Sequence, residues 1–268
     1  MGYTSNSESA QVRGFTPAQN DQERMVMRRA EDLLNSAQSQ WCARYSGFLS
    51  DREQDLCAAA LNRMGCDWYR FDGGYPDAER QLLCLEPQEG IDAPPIVCIR
   101  AKCSGSTAPV HKDYLGALMG LSIQRSSLGD ILLDPDHSGY AYIFALQSVS
   151  QLILQELTRV GRAGVSVSLC APEEVQQLAQ MPHQQKTATV SSLRADAVLA
   201  AMLNCSRGVA CDLIRAGRVE IRHIPVTAPH APVYEGDIFT IRGKGRFKLQ
   251  HLGGKSRKDR LFIEFVIY

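Results

Sequence analysis

Apolar residues recur every three or four positions between residues 16 and 41, a spacing that predicts an amphipathic helix. Thr16 followed by Pro17 is typical of a helix start, because threonine caps free amides and proline needs no amide hydrogen at the first helical position. Trp41 is the last inward position of this pattern. Residues 1–15 are polar and aperiodic, which predicts a disordered tail.

A second helix is predicted to begin at a capping box formed by Ser50 and Glu53 and to end at Gly65. Two short runs with the composition of strands follow it. A Gly-Gly-Tyr-Pro turn separates them and predicts a strand pair near residues 67–71 and 80–85. The adjacent prolines at positions 94 and 95 then mark a candidate domain boundary.

Between residues 96 and 169 the apolar pattern predicts a β-α-β-β-α-β unit. The predicted elements are strands at 96–102, 130–133, 140–146 and 165–169 and helices at 111–121 and 147–157. The positions expected to face the core are Leu115, Leu118 and Met119 on the first helix and Val149, Leu152 and Ile153 on the second. Unrelated proteins share this order of elements, so it does not define a function.

These elements predict an α+β protein with three folded parts. We expect a tail at 1–15, an N-terminal helical region with a strand pair at 16–94, a ferredoxin-like or RRM-like domain at 95–180 and a small domain at 187–268. A chain of 268 residues is long enough for domains of these sizes.

The net charge of zero hides an uneven distribution. Residues 186–268 contain 14 Lys and Arg against 7 Asp and Glu, a net charge of +7, whereas residues 1–185 carry −7. This asymmetry predicts a polyanionic partner for the basic part. A basic surface that is merely solvated is the alternative.

The composition also argues against several classes of protein. No apolar run approaches the roughly 18 residues of a membrane helix and no signal peptide is visible, so we expect a cytoplasmic protein. The nine cysteines form no Cys-x-x-Cys pair, which favours buried thiols and no metal site. Nucleotide-binding loops are missing, so no cofactor is expected.

The basic part begins with two predicted short helices, capped by Ser192 and Ser206 and separated by a break at Asn204 and Cys205. The predicted buried stripe of the second helix is Val209, Ala210, Leu213 and Ile214. Arginines and lysines beside glycines suit close contacts with RNA phosphates. The predicted RNA-binding residues are Arg194, Ser206, Arg207, Arg215, Arg218, Arg222, Arg242, Lys244, Arg246, Lys248, Lys255, Arg257 and Lys258.

This basic part resembles the RNA-binding domain named after ribosomal small-subunit protein S-four. The spaced signature of that domain is matched in order by Arg194, Asp196, Leu199, Ala200, Ser206, Arg207, Ala210, Leu213, Ile214, Gly217, Val219, Gly236 and Asp237. The resemblance implies a small RNA-binding fold with the alpha-L motif. The chain departs from the family after the second helix, where Ile221, Arg222 and His223 replace Val-Asn-Gly.

A longer resemblance extends from His111 to the C-terminus. The segments HKDYLGALMGLSIQRSSLGDILLD, TVSSLRADAVLA and RGKGRFKL are similar to the YlmH family of bacterial RNA-binding proteins. The resemblance implies a ribosome-associated protein that binds rRNA or tRNA on the large subunit and takes part in handling stalled nascent chains. It also implies a link to cell division.

Tyr140 and Tyr142 lie two residues apart on a predicted strand, so they share a face on which bases could stack. Residues 139–144 fit five positions of the RNA-recognition pattern, with Ser138 in place of its basic residue. Alternating aromatic residues are also favoured in any strand. Residues 111–113 are expected to be a helix cap or a ribosome contact rather than acid–base catalysts.

The sequence therefore predicts a non-enzymatic RNA-binding protein whose partner is structured rRNA or tRNA, with no membrane and no small-molecule substrate. An RNA-modifying enzyme is the alternative, because pseudouridine synthases and RNA methyltransferases carry the same small domain. The chain has neither an Arg-Leu-Asp motif nor a glycine-rich methyltransferase loop. A protein-interaction module of the division machinery is a third interpretation.

Overall fold

The computed structural model describes residues 15, 17–76, 78–87, 93–104, 108–134, 139–170, 174, 184–256 and 259–267. The predicted tail lies outside these residues, except for residue 15. The chain divides into two compact units, of which the first contains residues 17–181 and the second contains residues 182–268. Both units combine helices with antiparallel sheets, so the predicted α+β class is confirmed.

The first unit begins with two helices packed on a three-stranded sheet. The elements are α1 (Asp21–Gln40), β1 (Arg44–Leu49), α2 (Asp51–Arg63), β2 (Tyr69–Asp72) and β3 (Gln81–Leu85). The strand order is β1-β3-β2, with antiparallel pairing. Leu34 and Leu61 of the two helices are buried in one apolar cluster with Leu83 of the sheet.

Helix α1 begins later and ends earlier than the sequence pattern predicted. Asn20 is its N-cap, and the Asn20 side chain accepts a hydrogen bond of 2.9 Å from the amide of Glu23. Thr16 lies outside the described residues and Pro17 precedes the helix, so the predicted start is wrong. Trp41 is the C-cap in a left-handed conformation and is exposed, so it is not an inward position.

The capping box at the start of α2 is confirmed. The amide of Ser50 donates to the Glu53 carboxylate at 2.7 Å, and the amide of Glu53 donates to the Ser50 hydroxyl at 3.4 Å. Strand β1 was not predicted, because Ser46 and Gly47 interrupt its apolar pattern. Gly47 is needed there, since a Cβ would lie 2.7 Å from the carbonyl oxygen of Ser126.

The rest of the first unit is a five-stranded sheet with two helices on one face. Its elements are β4 (Ile96–Ser104), α3 (His111–Gly120), β5 (Leu128–Leu133), β6 (Tyr140–Leu146), α4 (Gln147–Glu156), β7 (Arg159–Val160) and β8 (Ala163–Leu169). The antiparallel strand order is β5-β6-β4-β8-β7. Each predicted strand and helix occurs, and β7 is a further short strand.

Two predicted core positions on these helices are wrong. Met119 on α3 and Leu152 on α4 are exposed, whereas Tyr114, Leu118 and Ile153 are buried against the sheet. Each step along a helix turns the side chain by about 100°, so a residue adjacent to a buried one points away from the contact.

The second unit is a six-stranded sheet covered by two short helices. Its elements are β9 (Gln184–Val190), α5 (Ala195–Met202), α6 (Arg207–Arg215), β10 (Val219–Ile221), β11 (Ile224–Pro225), β12 (Ile238–Ile241), β13 (Gly245–Lys255) and β14 (Leu261–Ile267). The strand order is β11-β10-β12-β13-β14-β9. The first strand thus pairs with the last, from Gln184 opposite Ile267 to Val190 opposite Leu261.

Helices α5 and α6 bury apolar residues against this sheet, including Val198 and Ile214 in contact with the cluster around Phe239. Val209 is 49% exposed, so its predicted place in the buried stripe of α6 is wrong. Within the part of the chain that the structure describes, no single helix is long and apolar enough to span a membrane. Only α5 and α6 together meet that test, across a bend of 113°.

Candidate RNA interface

A buried carboxylate lies between two arginines where α5 and α6 meet. Asp196, in the first turn of α5, is 3% exposed. Its carboxylate accepts a hydrogen bond from Nε of Arg194 at 3.1 Å and from Nη2 of Arg207 at 2.6 Å. The side chains of Arg194 and Arg207 are 44% and 50% exposed. Two guanidinium groups therefore converge on one carboxylate and still face solvent.

The charge of Asp196 is maintained by these arginines. Burial alone would raise the pKa of the carboxyl group, but the hydrogen bond and charge of Arg207, together with those of Arg194, lower it below the usual aspartate value. The ionised group then fixes the direction of both guanidinium planes. From the sequence, Asp196 was named only as a match to the family signature and this role was not predicted, although an acidic residue within a basic pattern is a usable signal.

The start of α6 agrees with the sequence prediction. The hydroxyl of Ser206 accepts a hydrogen bond of 3.3 Å from the amide of Val209, so Ser206 is the predicted cap. Arg207 is the first residue of the helix. Its side chain therefore begins beside the free amides and the positive end of the helix dipole, where an anion is favoured.

The start of α5 differs from the prediction. The amides of Ala195 and Asp196 donate to the carbonyl oxygens of Ala231 and Pro229, each at 2.9 Å. Backbone carbonyls of a later loop thus satisfy the first amides of this helix, and the N-cap is Arg194 without a side-chain cap bond. The predicted cap at Ser192 is therefore wrong.

The end of α6 places two further arginines together. Gly217 has a φ of 64°, its amide donates to Ile214 O, and the amide of Arg218 donates to Leu213 O, which is a Schellman motif. Nη2 of Arg218 donates to the carbonyl oxygen of Arg242 at 3.0 Å, and the Arg242 amide donates to the Arg218 carbonyl at 2.9 Å. Arg218 and Arg242 are therefore neighbours at the β12–β13 turn.

The predicted basic residues of β13 do not join this side of the unit. Arg246 and Lys248 alternate with Phe247 and Leu249, which are buried in the core beneath the helices. Because successive residues of a strand point to opposite faces, Arg246 and Lys248 lie on the face away from α5 and α6. Lys244 is exposed in the turn before them.

Two further predicted cations, Arg215 and Lys255, lie at the surface. Arg215, in the last turn of α6, is 3.8 Å from Asp212, and Lys255, at the end of β13, is 3.0 Å from Asp259. Both contacts are between exposed side chains, so they contribute little to stability. Arg257 and Lys258 lie outside the described residues.

The turn between β10 and β11 forms even though its sequence departs from the family pattern. Arg222 and His223 have φ values of 51° and 61°, and Ile221 pairs with Ile224 across them. Two consecutive positive φ angles define a two-residue turn of type I′, for which Asn-Gly is the favoured sequence. Arg222 and His223 therefore adopt this conformation at an energetic cost.

In the first unit, Tyr140 and Tyr142 lie on the face of β6 opposite the helices. Nζ of Lys102 is 5.5 Å from the centroid of the Tyr140 ring. The hydroxyl of Tyr142 is 3.5 Å from a carboxylate oxygen of Asp134, and burial raises the pKa of this tyrosine. Ser138 lies outside the described residues. Base stacking on these tyrosines stays a prediction.

The interpretation of residues 111–113 as a helix cap is confirmed for Asp113, whereas a ribosome contact by these residues stays a prediction. The carboxylate of Asp113 accepts a hydrogen bond of 3.0 Å from the amide of Val110, at the first turn of α3. Among the residues that the structure describes, no three His, Cys, Asp or Glu side chains are grouped so as to hold a metal ion.

Comparison with known proteins shows two similarities that agree with each other. Residues 107–174 match the family model described as "Putative RNA-binding domain in YlmH". The chain is 29% identical over 248 residues to the "Ribosome-associated protein quality control protein P2" of Bacillus subtilis. This alignment covers 91% of this chain and 94% of that protein. The chain is therefore similar to proteins of the YlmH family. The resemblance stated from the sequence is thereby confirmed.

A solved structure has a fold similar to that of this chain. The cell division protein ylmH from Streptococcus pneumoniae aligns with a TM-score of 0.50 and 17% identity, covering 61% of this chain and 99% of that one. At this identity the likeness concerns the fold alone. The matched YlmH domain ends at residue 174, so the S-four-type assignment of the basic unit stays a prediction.

Proposed function

We propose that this protein is a non-enzymatic, ribosome-associated RNA-binding protein, and that its second unit binds structured rRNA or tRNA. The observation that carries the proposal is the pair of arginines held by Asp196 at the open start of α6. An arginine fork donates two parallel hydrogen bonds to phosphate oxygens. Two such forks with a fixed orientation suit neighbouring phosphates of an RNA helix, which is read mainly by its shape and backbone.

The ribosomal part of the proposal is supported by the relatives. The Bacillus protein is named for ribosome-associated quality control. By extension, we infer a cytoplasmic protein that acts on the large subunit when a nascent chain stalls. A link to cell division, which the name of the streptococcal protein states, belongs to the same proposal.

Substitutions of Arg207 test the interface. In Arg207→Ala both the fork and one partner of buried Asp196 are lost, so binding and stability should fall together. Arg207→Lys keeps a positive charge near Asp196 but lacks the fork. We expect Arg207→Ala to weaken binding to an RNA hairpin by about tenfold to a hundredfold, and Arg207→Lys to restore part of it.

The measurement is fluorescence anisotropy at one salt concentration, with thermal melts of each variant. Arg28→Ala removes an equal charge from the exposed surface of α1 and is the matched control. Unchanged binding by Arg207→Ala would contradict the proposed interface. An equal loss in Arg28→Ala would show that only net charge matters.

A separate experiment tests the non-enzymatic part. Purified protein incubated with tRNA or rRNA, with and without S-adenosylmethionine, should leave the RNA unmodified when nucleosides are examined by mass spectrometry. Pseudouridine or methylation that depends on the protein would instead support an RNA-modifying enzyme.

A further inference from the structure

The outer face of the five-stranded sheet, opposite α3 and α4, has a covered half and an open half. In the covered half, Cys98 and Phe144 pack with Phe48 and Leu82 of the three-stranded sheet. Other side chains of β4, β6 and β8 on this face remain half-buried or exposed. We name the following six the open sheet face: Arg100, Lys102, Tyr140, Tyr142, Ser166 and Ser168. Tyr142 lies at its border, because one side of this half-buried residue packs against the covered half.

Strand pairing arranges the open sheet face in two rows. In the first row Tyr140 lies opposite Lys102, and Lys102 lies opposite Ser166 on its other side. The second row repeats this order with Tyr142, Arg100 and Ser168. Each row presents an aromatic ring, a cation and a hydroxyl side by side. The rows are about 6.7 Å apart, because two residues along a strand span that distance.

Both cations are held above this face. Nζ of Lys102 lies 5.5 Å from the centroid of the Tyr140 ring, within the range of a cation–π contact. Arg100 donates to the Glu174 carboxylate at 2.8 Å and is 3.4 Å from the hydroxyl of Ser168. The positive charges are thus placed beside the rings rather than directed away from the sheet.

We propose that the open sheet face binds two consecutive unpaired nucleotides of RNA. This inference rests on the proposed RNA-binding function and assigns a second, single-stranded site to the first unit. One base stacks on Tyr140 while Lys102 moves from the ring to a phosphate. The next nucleotide uses Tyr142 and Arg100. Stacking on aromatic rings is tolerant of sequence, so the site selects unpaired strands rather than particular bases.

The chemistry of the face favours RNA over a protein segment. Rings that alternate with cations match the bases and phosphates of a nucleotide strand, and serine hydroxyls can pair with the ribose 2′-hydroxyl. An apolar protein segment is instead suited to a surface like the covered half, where aliphatic and aromatic side chains meet. Four of the six residues lie inside the matched YlmH domain.

Glu174 sets the affinity of this site. Its carboxylate accepts a hydrogen bond from Arg100 at 2.8 Å, so an incoming phosphate must compete with Glu174 for the guanidinium group. Asp134 adds a second negative charge beside Tyr142. Because few phosphates are neutralised, the salt dependence is shallow, with a log–log slope of about −1 for one or two contacts. A surface that relied on net charge would show a steeper slope.

The test measures binding of the full-length protein to two fluorescent RNAs: a hexauridine and a hairpin with a twelve-base-pair stem. We expect Tyr140→Ala and Lys102→Glu each to weaken hexauridine binding by about tenfold. Glu174→Gln should strengthen it by about threefold, because Arg100 is released. Tyr140→Phe should retain binding, since the ring remains. Hairpin binding should change by less than about twofold in all four variants.

Trp41→Ala, which removes an exposed aromatic residue from the same unit, is the matched control. Lys102 is exposed on its strand, so its variant reports on the site even if Tyr140→Ala unfolds. Unchanged hexauridine binding by Lys102→Glu, or an equal loss in Trp41→Ala, would overturn the inference. If the parent binds the hairpin but not hexauridine, the inference is wrong and the proposed function stands. If it binds neither RNA, both are wrong.

Discussion

At the scale of single residues, Asp196 couples the stability of the second unit to pH through the two arginines that it orients. The carboxyl group is buried, and its pKa in the folded chain is held below the ordinary value by Arg207 and Arg194. The unfolded chain therefore binds a proton more readily than the folded chain. As the pH falls through the folded-state pKa, the stabilising contribution of this group is lost.

Asp196→Asn should consequently lower the melting temperature of the second unit at pH 7, because the arginines lose a charged acceptor. The difference between the parent and the variant should stay constant from pH 7 down to about 4 and shrink below that, since the unfolded parent then takes up a proton before the folded parent does. Thermal melts across this range measure it. Asp212→Asn, which changes an exposed carboxylate of α6, is the control. A difference that does not vary with pH would contradict the role assigned to Asp196.

The turn at Arg222 and His223 is a second place where single residues affect the stability of the unit. Both residues have left-handed backbone conformations, which glycine adopts without steric cost. His223→Gly should therefore stabilise the second unit by about 1 kcal/mol. Urea unfolding of the variant measures the gain. Destabilisation would mean that the His223 side chain contributes more than the strain costs.

At the scale of elements, local signals predicted two of the four caps correctly, those at Thr16 and Ser192 being wrong, and long-range pairing was not visible in the sequence. The caps at Ser50 and Ser206 were predicted, because they depend on residues within one turn. Strand β9 was missed, since its sequence QQKTATV is largely polar and it forms by pairing with β14. The arginines of the candidate interface could be named from the sequence. Their grouping around Asp196 could not, because it depends on how α5 meets α6.

Helix α6 offers a matched pair of substitutions that separates burial from exposure. Ile214 is 1% exposed and packs in the core, whereas Val209, five residues earlier, is about half-exposed. Ile214→Ala should lower the free energy of unfolding by about 2–5 kcal/mol, because it leaves a cavity. Val209→Ala should change it by less than about 0.5 kcal/mol. Chemical denaturation of both variants measures the two changes in the free energy of unfolding. Similar losses would show that Val209 contributes to the core, as the sequence pattern predicted.

At the scale of the whole molecule, each unit has an apolar core of its own. The core cluster of the second unit contains only residues between 188 and 267, and residues 186–268 carry the positive excess. Residues 182–268 expressed alone should therefore fold and bind duplex RNA. With about four phosphate contacts, the log–log salt slope should be roughly −3 to −4. Tighter duplex binding by residues 17–181 alone would contradict this division of roles.

The pairing of β9 with β14 has a consequence for how this unit is connected. Gln184 and Ile267 lie opposite each other on neighbouring strands, so the polypeptide enters and leaves the sheet at the same edge. The two ends are separated by about 5 Å, the spacing of paired residues in an antiparallel ladder. A short linker could join them, and new termini could be opened at an exposed turn without breaking the core. The unit is thus suited to circular permutation and to insertion into a surface loop of another protein.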